Sequence, residues 1–158
     1  MCFVTTKTAR FKTAKQDLTV YKVVKTNQES PEECVSLYIN FIYEKGREYS
    51  EKPSSYEEEI SVYSAKRNGA RVKGVSNPFG TLVTVKSYTT GFHSYLGYVA
   101  KEKYFLSEKL STKTKLAEFV IPKGSKYMVN ENGEVFSDKI VFKDFIPCKD
   151  VDENQKTL

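Results

Sequence analysis

The segment 118–129 constrains the fold more than any other part of the chain. Two short runs of aliphatic and aromatic residues, 119–121 and 126–129, flank the sequence Pro122-Lys123-Gly124-Ser125. Runs of this composition favour strands, and Pro followed closely by Gly favours a tight turn. The segment therefore predicts a β-hairpin with a carboxylate, that of Glu118, at the head of its first strand.

Further strand signals are distributed along the chain. Residues 18–25 are β-rich with apolar residues on both faces, which is typical of a central strand, and residues 81–88 alternate between polar and apolar. Two more runs, 134–136 and 139–143, extend the predicted hairpin into a C-terminal β-meander. Residues 97–110 have the spacing of a short helix. The predicted fold class is α+β, with mostly antiparallel sheets and one or two short helices.

Residues 31–45 carry two competing patterns. Ser30, Pro31 and Glu33 match a helix start, and apolar residues follow at helical spacing as far as Ile42. The same stretch also alternates as a strand would, from Val35 through Phe41 to Tyr43. The capping residues favour the helix, and the alternation keeps a strand open.

The length of 158 residues and the changes in composition predict one domain, 18–149, between two polar ends. Residues 1–17 are basic and are expected to form a mobile or edge-lying arm. Residues 150–158 are expected to form a frayed polar tail.

Composition excludes several classes of protein. Hydrophobic residues make up 39% and charged residues 28%, which is typical of a globular protein and leaves no apolar run of membrane-spanning length. With no recognisable secretory leader and no disulfide pattern among Cys2, Cys34 and Cys148, we expect a cytoplasmic protein with reduced thiols, Cys34 being a core residue. The single histidine, His93, makes a metal site unexpected.

A basic cluster surrounds Asn68-Gly69, a strong turn signal, and predicts a basic-tipped hairpin or loop. Its members are Lys66, Arg67, Arg71 and Lys73. Such a cluster can meet the phosphates of a nucleic acid or a nucleotide. The interpretation as a solvated loop is favoured, because no aromatic residue lies within the cluster in the sequence and the acidic run 57–59 is close by.

The predicted hairpin resembles a segment of a known protein family. Its residues 118–127 resemble the final catalytic hairpin of ADP-ribosyltransferases, in which a glutamate opens an aliphatic strand and a Gly-Ser or Gly-Thr turn follows. Val20-Tyr21-Lys22 and Gly91-Phe92-His93-Ser94 resemble two upstream segments of that family, in the same order. The chain is also similar to short bacterial and phage proteins that share segments such as Tyr-Lys-Val, Gly-Phe-His and Ile-Pro-Lys-Gly-Ser.

The resemblance implies roles for particular residues. Glu118 would be the catalytic glutamate, whose charge stabilises the positive sugar ring of NAD in the transition state. Ser94 would support the nicotinamide pocket, and Lys22 would stand where an arginine binds the pyrophosphate. Tyr21 and Phe92 lie in the two segments that would bind the cofactor.

His93 has two interpretations, a general base or a packed histidine in an aromatic strand, and the second is favoured. The chain also departs from the family at Lys22, which lacks the planar fork of arginine, and at Leu116, where transferases acting on side chains carry a second Glu or Gln.

Three functions follow as hypotheses. The favoured one is non-catalytic binding of a protein or a small ligand, with no cofactor and no membrane partner. The alternative is NAD-dependent ADP-ribosyl transfer or NAD hydrolysis using Glu118, and a second alternative is an accessory protein that binds nucleic acid through the basic cluster. The enzyme hypothesis requires Lys22, Ser94 and Glu118 to converge on one cleft.

Overall fold

A computed structural model describes residues 3–37, 41–74, 77–108 and 113–158 of the chain. Within these ranges the chain forms two β-sheets, two α-helices and a short 3-10 turn, consistent with the predicted α+β class and dominated by strands. The helices are α1 (Val62–Arg67) and α2 (Gly97–Glu108), and the 3-10 turn is Cys148–Asp150. The strands are β1 (Phe3–Thr6), β2 (Lys12–Thr13), β3 (Leu18–Thr26), β4 (Glu33–Ser36), β5 (Ile42–Glu44), β6 (Glu48–Ser50), β7 (Ser54–Ser61), β8 (Leu82–Thr90), β9 (Phe92–Tyr95), β10 (Thr114–Ile121), β11 (Lys126–Val129), β12 (Glu134–Ser137) and β13 (Lys139–Phe145).

The larger sheet has ten strands, and the pairings between its strands are antiparallel. Its main path runs β2-β11-β12-β9-β3-β10-β13-β6, with β4 pairing with the end of β3 and β5 with β4. The β4–β5 pair starts from β3, and an isolated bridge joins Lys45, just after β5, to Phe142 of β13. The strands therefore curl around the aromatic core. The smaller sheet has the order β1-β8-β7.

Strand β3 is central, as its sequence predicts. Val20 and Val24 point from one face into the aromatic core, and both are fully buried. Tyr21 and Val23 point from the other face and pack with Ala100 of α2. Because successive side chains of a strand point to opposite faces, a strand buried on both faces needs apolar residues at almost every position.

The described residues of the basic N-terminal segment lie at sheet edges, as one of the two alternatives predicts, because β1 and β2 are edge strands of the smaller and the larger sheet. The described residues of both polar ends pack against the rest of the fold. Phe3 of β1 is fully buried beside Tyr88 and Phe136, and β2 is an edge strand of the larger sheet, where it pairs with β11. At the other end, Val151 is buried, and the Gln155 side chain accepts a hydrogen bond from the Gly97 backbone at 2.8 Å. A few apolar side chains anchor segments whose composition is otherwise polar.

The helix favoured for residues 31–45 is wrong. The described part of this stretch forms β4 and β5, which pair with each other, and β4 also pairs with β3. Cys34 and Tyr43 are directly paired and both are buried. Alternation therefore describes this stretch better than the capping signal, because each strand buries one face against the aromatic core. Tyr38, one of the residues at helical spacing, lies outside the described residues.

The predicted hairpin at 118–129 is also wrong in its pairing, although its strands and turn are present. Gly124 has φ +88°, as the tight turn requires, but β10 lies between β3 and β13, whereas β11 pairs with β12 and β2. The predicted C-terminal meander is accordingly incomplete: β11 and β12 pair, but β13 returns to β10. The chain forms instead a long ladder in which all eight residues of β10 pair with β3.

Other elements match the predictions closely. The strand predicted at 81–88 is β8, and the short helix is α2 as far as Glu108. Residues 78–80 form a turn between α1 and β8. The turn at Asn68-Gly69 is present too, but it follows α1 and is not the tip of a hairpin. None of the helices in the described ranges has the length and apolar character needed to cross a membrane.

Candidate functional site

A cavity of about 180 Å³ opens beside β3, where β9 pairs with the strand at Tyr21 and β4 pairs with it from Val24 onwards. Lys22 lies between these two pairings, on the face of β3 that carries Val20 and Val24. The cavity is lined by Lys22, Val23, Ser36, Leu37, Phe41, Tyr43, Glu51, Thr89, Gly91, Phe92, His93 and Tyr95. Phe and Tyr side chains are the largest group in this lining, which also includes one lysine and an exposed carboxylate, Glu51.

Lys22 is the principal charged group in this cavity. Its Nζ donates a hydrogen bond to the backbone carbonyl of His93 and lies 5.6 Å from the ring centroid of Tyr43 and 5.8 Å from that of Phe119. Among the described residues, no carboxylate lies within ion-pair distance of this nitrogen. Two ring faces and a carbonyl dipole are therefore its main sources of electrostatic stabilisation.

Burial lowers the pKa of Lys22 from 10.5 to about 8, and the neighbouring Cys34 opposes this shift slightly. Removal of the ammonium from water disfavours its charged form, and the nearby rings offset only part of that penalty. Burial raises the pKa of the Cys34 thiol to about 12, so Cys34 is a neutral core residue at pH 7. Its burial agrees with the expectation that it belongs to the core.

The β4–β5 pair and its continuation supply the aromatic wall. Phe41 lies 4.7 Å from Tyr43 and 6.4 Å from Phe92, measured between ring centroids. Tyr49 meets both Phe41 and Tyr43 edge-on. Tilted and edge-on ring pairs at these distances are attractive, so the wall is a packed cluster that holds its shape.

His93 contributes its backbone to the cavity more than its imidazole. The ring meets Phe136 edge-on at 5.5 Å and Phe3 at 6.2 Å, and its Nδ1 has no hydrogen-bond partner among the described residues. Burial, helped by the positive charge of Lys22, lowers the pKa of His93 to about 4. The imidazole is therefore neutral at pH 7, and its surroundings favour the packed histidine over the general base.

Glu118 lies on the other face of the sheet from Lys22. In the ladder between β3 and β10, Lys22 pairs with Ala117 and Glu118 pairs with Tyr21. The Glu118 side chain is 21% exposed, and its Oε2 lies 3.1 Å from Nζ of Lys143. Tyr21 shares this face, where burial raises the pKa of its hydroxyl. Neither Glu118 nor Tyr21 lines the cavity.

Ser94 is the remaining candidate. It is fully buried on β9, its Oγ has no hydrogen-bond partner among the described residues, and it does not line the cavity. The structure thus brings together Lys22, Phe92 and His93, and separates them from Glu118. Sequence reasoning missed Phe41 and Tyr43 as site residues, although the alternating pattern that places Tyr43 on β5, and Phe41 just before it, is visible.

The basic cluster lies elsewhere, at the end of α1 and in the coil after it. Lys66, Arg67 and Lys73 are exposed, and Arg71 lies 3.8 Å from Glu131. The described residues contain no group of three or more His, Cys, Asp or Glu side chains that could hold a metal ion. No protein-family model, curated protein or solved structure matches the chain.

Proposed function

We propose that this protein binds a small organic anion in the cavity beside β3. The observation that carries the proposal is the ammonium of Lys22, which lies inside an aromatic-walled cavity without a carboxylate partner among the described residues. The acid group of the ligand contacts Nζ of Lys22, and an aromatic or aliphatic body packs on Phe41, Tyr43 and Phe92.

Desolvation of Lys22 favours the binding of an anion. Lys22 is half-buried, and an ammonium partly removed from water without a counter-ion is unfavourable. A bound carboxylate offsets this with a charge-assisted hydrogen bond. Ligand binding then raises the pKa of Lys22 back towards its ordinary value, because an opposite charge favours the protonated form.

The size of the cavity limits the ligand. At about 180 Å³ it is smaller than the roughly 300–1,000 Å³ of pockets that take drug-sized molecules. We therefore expect a small acid with a single ring or a short chain, and not a dinucleotide. The position of Glu118 on the opposite face of the sheet gives no support to the NAD-dependent reaction, which leaves binding as the better-supported function.

Calorimetric titration with benzoate, and with uncharged benzamide as its isostere, tests the proposal. We expect benzoate to bind at least ten-fold more tightly than benzamide, and Lys22→Met to abolish the preference, because a hydrogen bond to a charged group contributes roughly 1.5–3 kcal/mol. Lys25→Met is the matched control: it removes the same charge from an exposed position of the same strand.

Equal affinities for the two probes, or equal effects of the two lysine substitutions, would show that Lys22 does not recognise an anion. If neither probe binds, the same pair of variants can be compared with short aliphatic acids and their amides. Absence of any acid preference across both sets would overturn the proposal.

A further inference from the structure

A second surface, remote in sequence from the cavity residues of β3 and β9, combines exposed aromatic rings with free cations. Tyr63 of α1 and Phe79 of the following turn are stacked, with ring centroids 4.8 Å apart and planes inclined by 25°. Their exposed fractions are 45% and 73%. Singly exposed rings are common, but rings that lie together as an exposed patch mark interaction sites more often.

The cations share the exposed face of the same helix. Val62 and Ala65 are the buried residues of α1, whereas Tyr63, Lys66 and Arg67 are exposed. Residues three and four apart are neighbours on a helix surface, so both cationic residues lie on the side of α1 that carries Tyr63. Neither cation has an ion-pair partner within the part of the chain that the structure describes.

Hydrogen bonds fix the helix α1, which carries Tyr63, at both of its ends. The backbone N–H of Tyr63 donates to the carbonyl of Pro78 at 3.0 Å, and that of Val62 donates to Thr81 at 3.0 Å, which fixes the turn against α1. At the other end, Nδ2 of Asn132 donates to the carbonyl of Arg67 at 2.9 Å. The stacked rings are therefore presented on a fixed support, and the sequence could not show that Phe79 joins the basic cluster.

Of the three nearby acids on β7, only Glu58 shares the face of Ile60. Strand β7, against which α1 packs, carries Glu57, Glu58 and Glu59, but Glu57 and Glu59 point to the face opposite Ile60. Ile60 belongs to the apolar cluster that α1 covers, together with Ala65. Two of the three glutamates are thus directed away from the helix.

We propose that the surface formed by Tyr63, Phe79, Lys66 and Arg67 binds single-stranded nucleic acid. An unpaired base stacks on the exposed face of Phe79, and the two cations contact phosphates on either side of it. Exposed rings interleaved with cations are the combination by which proteins hold single strands without reading their sequence. The inference is independent of the cavity and of its ligand.

Fluorescence anisotropy with a short labelled oligothymidylate and the full chain tests this inference at low salt. We expect binding that Phe79→Ala weakens on the order of ten-fold, because base stacking contributes roughly 1–3 kcal/mol per base. The double variant Lys66→Gln/Arg67→Gln should flatten the slope of log affinity against log salt by about 1.4, since each phosphate contact with a single strand contributes about 0.7.

The matched control is Lys123→Gln/Lys126→Gln, which removes two exposed positive charges, one from the turn before β11 and one from the first residue of β11. It should leave the salt slope and the affinity nearly unchanged. The inference is overturned if the oligonucleotide does not bind at low salt, if Phe79→Ala binds as well as the wild type, or if the control double variant loses as much affinity as Lys66→Gln/Arg67→Gln. Tighter binding of a duplex of the same length would also overturn it, because paired bases cannot stack on a protein ring. Unchanged thermal midpoints of the variants show that they are folded.

Discussion

The cavity beside β3 and the surface on α1 are built from the same two ingredients, lysine and aromatic rings, in opposite surroundings. Lys22 is enclosed by Tyr43 and Phe119, and its pKa falls to about 8. Lys66 stands exposed on α1, beside the stacked pair of Tyr63 and Phe79. Burial thus changes what a cation next to a ring can do: the enclosed one is short of a counter-ion, whereas the exposed one keeps its hydration and responds to salt.

Removal of one aromatic ring from each region should give the largest difference in the free energy of unfolding. Phe119→Ala should lower the free energy of unfolding by about 3–5 kcal/mol, because Phe119 is fully buried and its loss leaves a cavity. Phe79→Ala should change it by less than about 1 kcal/mol, since the Phe79 ring is mostly exposed. Urea unfolding measures both, and similar losses would mean that Phe79 is a structural residue.

Low pH should destabilise the region of the cavity through His93. Because the pKa of His93 is about 4 when folded and 6.5 ordinarily, the unfolded chain takes up a proton first, and stability is lost as the pH falls from 6.5 towards 4. That shift corresponds to at most about 3 kcal/mol. His93→Gln should remove this part of the acid sensitivity, as followed by urea unfolding across that range. An unchanged acid profile in the variant would mean that the imidazole is hydrated.

The same lysine substitution made in both regions gives a direct test of burial. Lys22→Met should stabilise the protein by up to about 3 kcal/mol at pH 7, because folding brings the ammonium out of water and lowers its pKa from 10.5 to about 8. The gain should shrink as the pH rises from 8 to 10.5, since the unfolded lysine then also loses its proton. Lys66→Met should have little effect at any pH. Urea unfolding of each variant and the wild type measures the difference, and pH values below 9 keep it clear of Cys34, whose raised pKa weakens the fold above pH 9 and is itself lowered by the charge of Lys22.

The smallest expected effect concerns the ion pair beside the α1 surface. Arg71 and Glu131 are 3.8 Å apart, with side chains 64% and 58% exposed. Exposed pairs contribute about 0–1 kcal/mol, so Arg71→Gln should leave the free energy of unfolding nearly unchanged. Any difference between the variant and the wild type should disappear at high salt, which screens the pair. A loss comparable with that of Phe119→Ala would show that Arg71 has a structural role the contacts do not suggest.

Sequence reasoning succeeded where the signal is local. The apolar residues of 18–25 predict a central strand, the alternation of 81–88 predicts β8, and the spacing in 97–110 predicts α2. Each of these depends on which face a side chain occupies along one element.

It failed where pairing is set by distant residues. The turn at Gly124 predicts that the strands before and after it pair with each other, but β10 pairs with β3 instead. Ser30 and Pro31 match a helix start, but the stretch that follows buries Cys34 and Tyr43 as strand residues. Patterns within a short stretch of sequence do not predict which strands pair with each other in the sheet.

The candidate site was predictable only in part. Lys22 and Phe92 were singled out through resemblance to a family and His93 as the single histidine, and the three do share a cavity. Glu118 was grouped with Lys22 for the same reason, yet the alternation of β3 and β10 places them on opposite faces. The wall formed by Phe41 and Tyr43 depends on the return of β4 and β5 to the core.

The position of β10 between β3 and β13 has a consequence for how the chain folds. During synthesis, the residues of β3 are made long before those of β10, with which they pair along the whole length of β10. Until then β3 offers its apolar residues and one row of backbone N–H and C=O groups to other chains. Ladders that join distant parts of a sequence also form slowly. We therefore expect aggregation to compete with folding mainly before the C-terminal third of the chain has been made, and truncation ahead of Thr114 to leave an insoluble product.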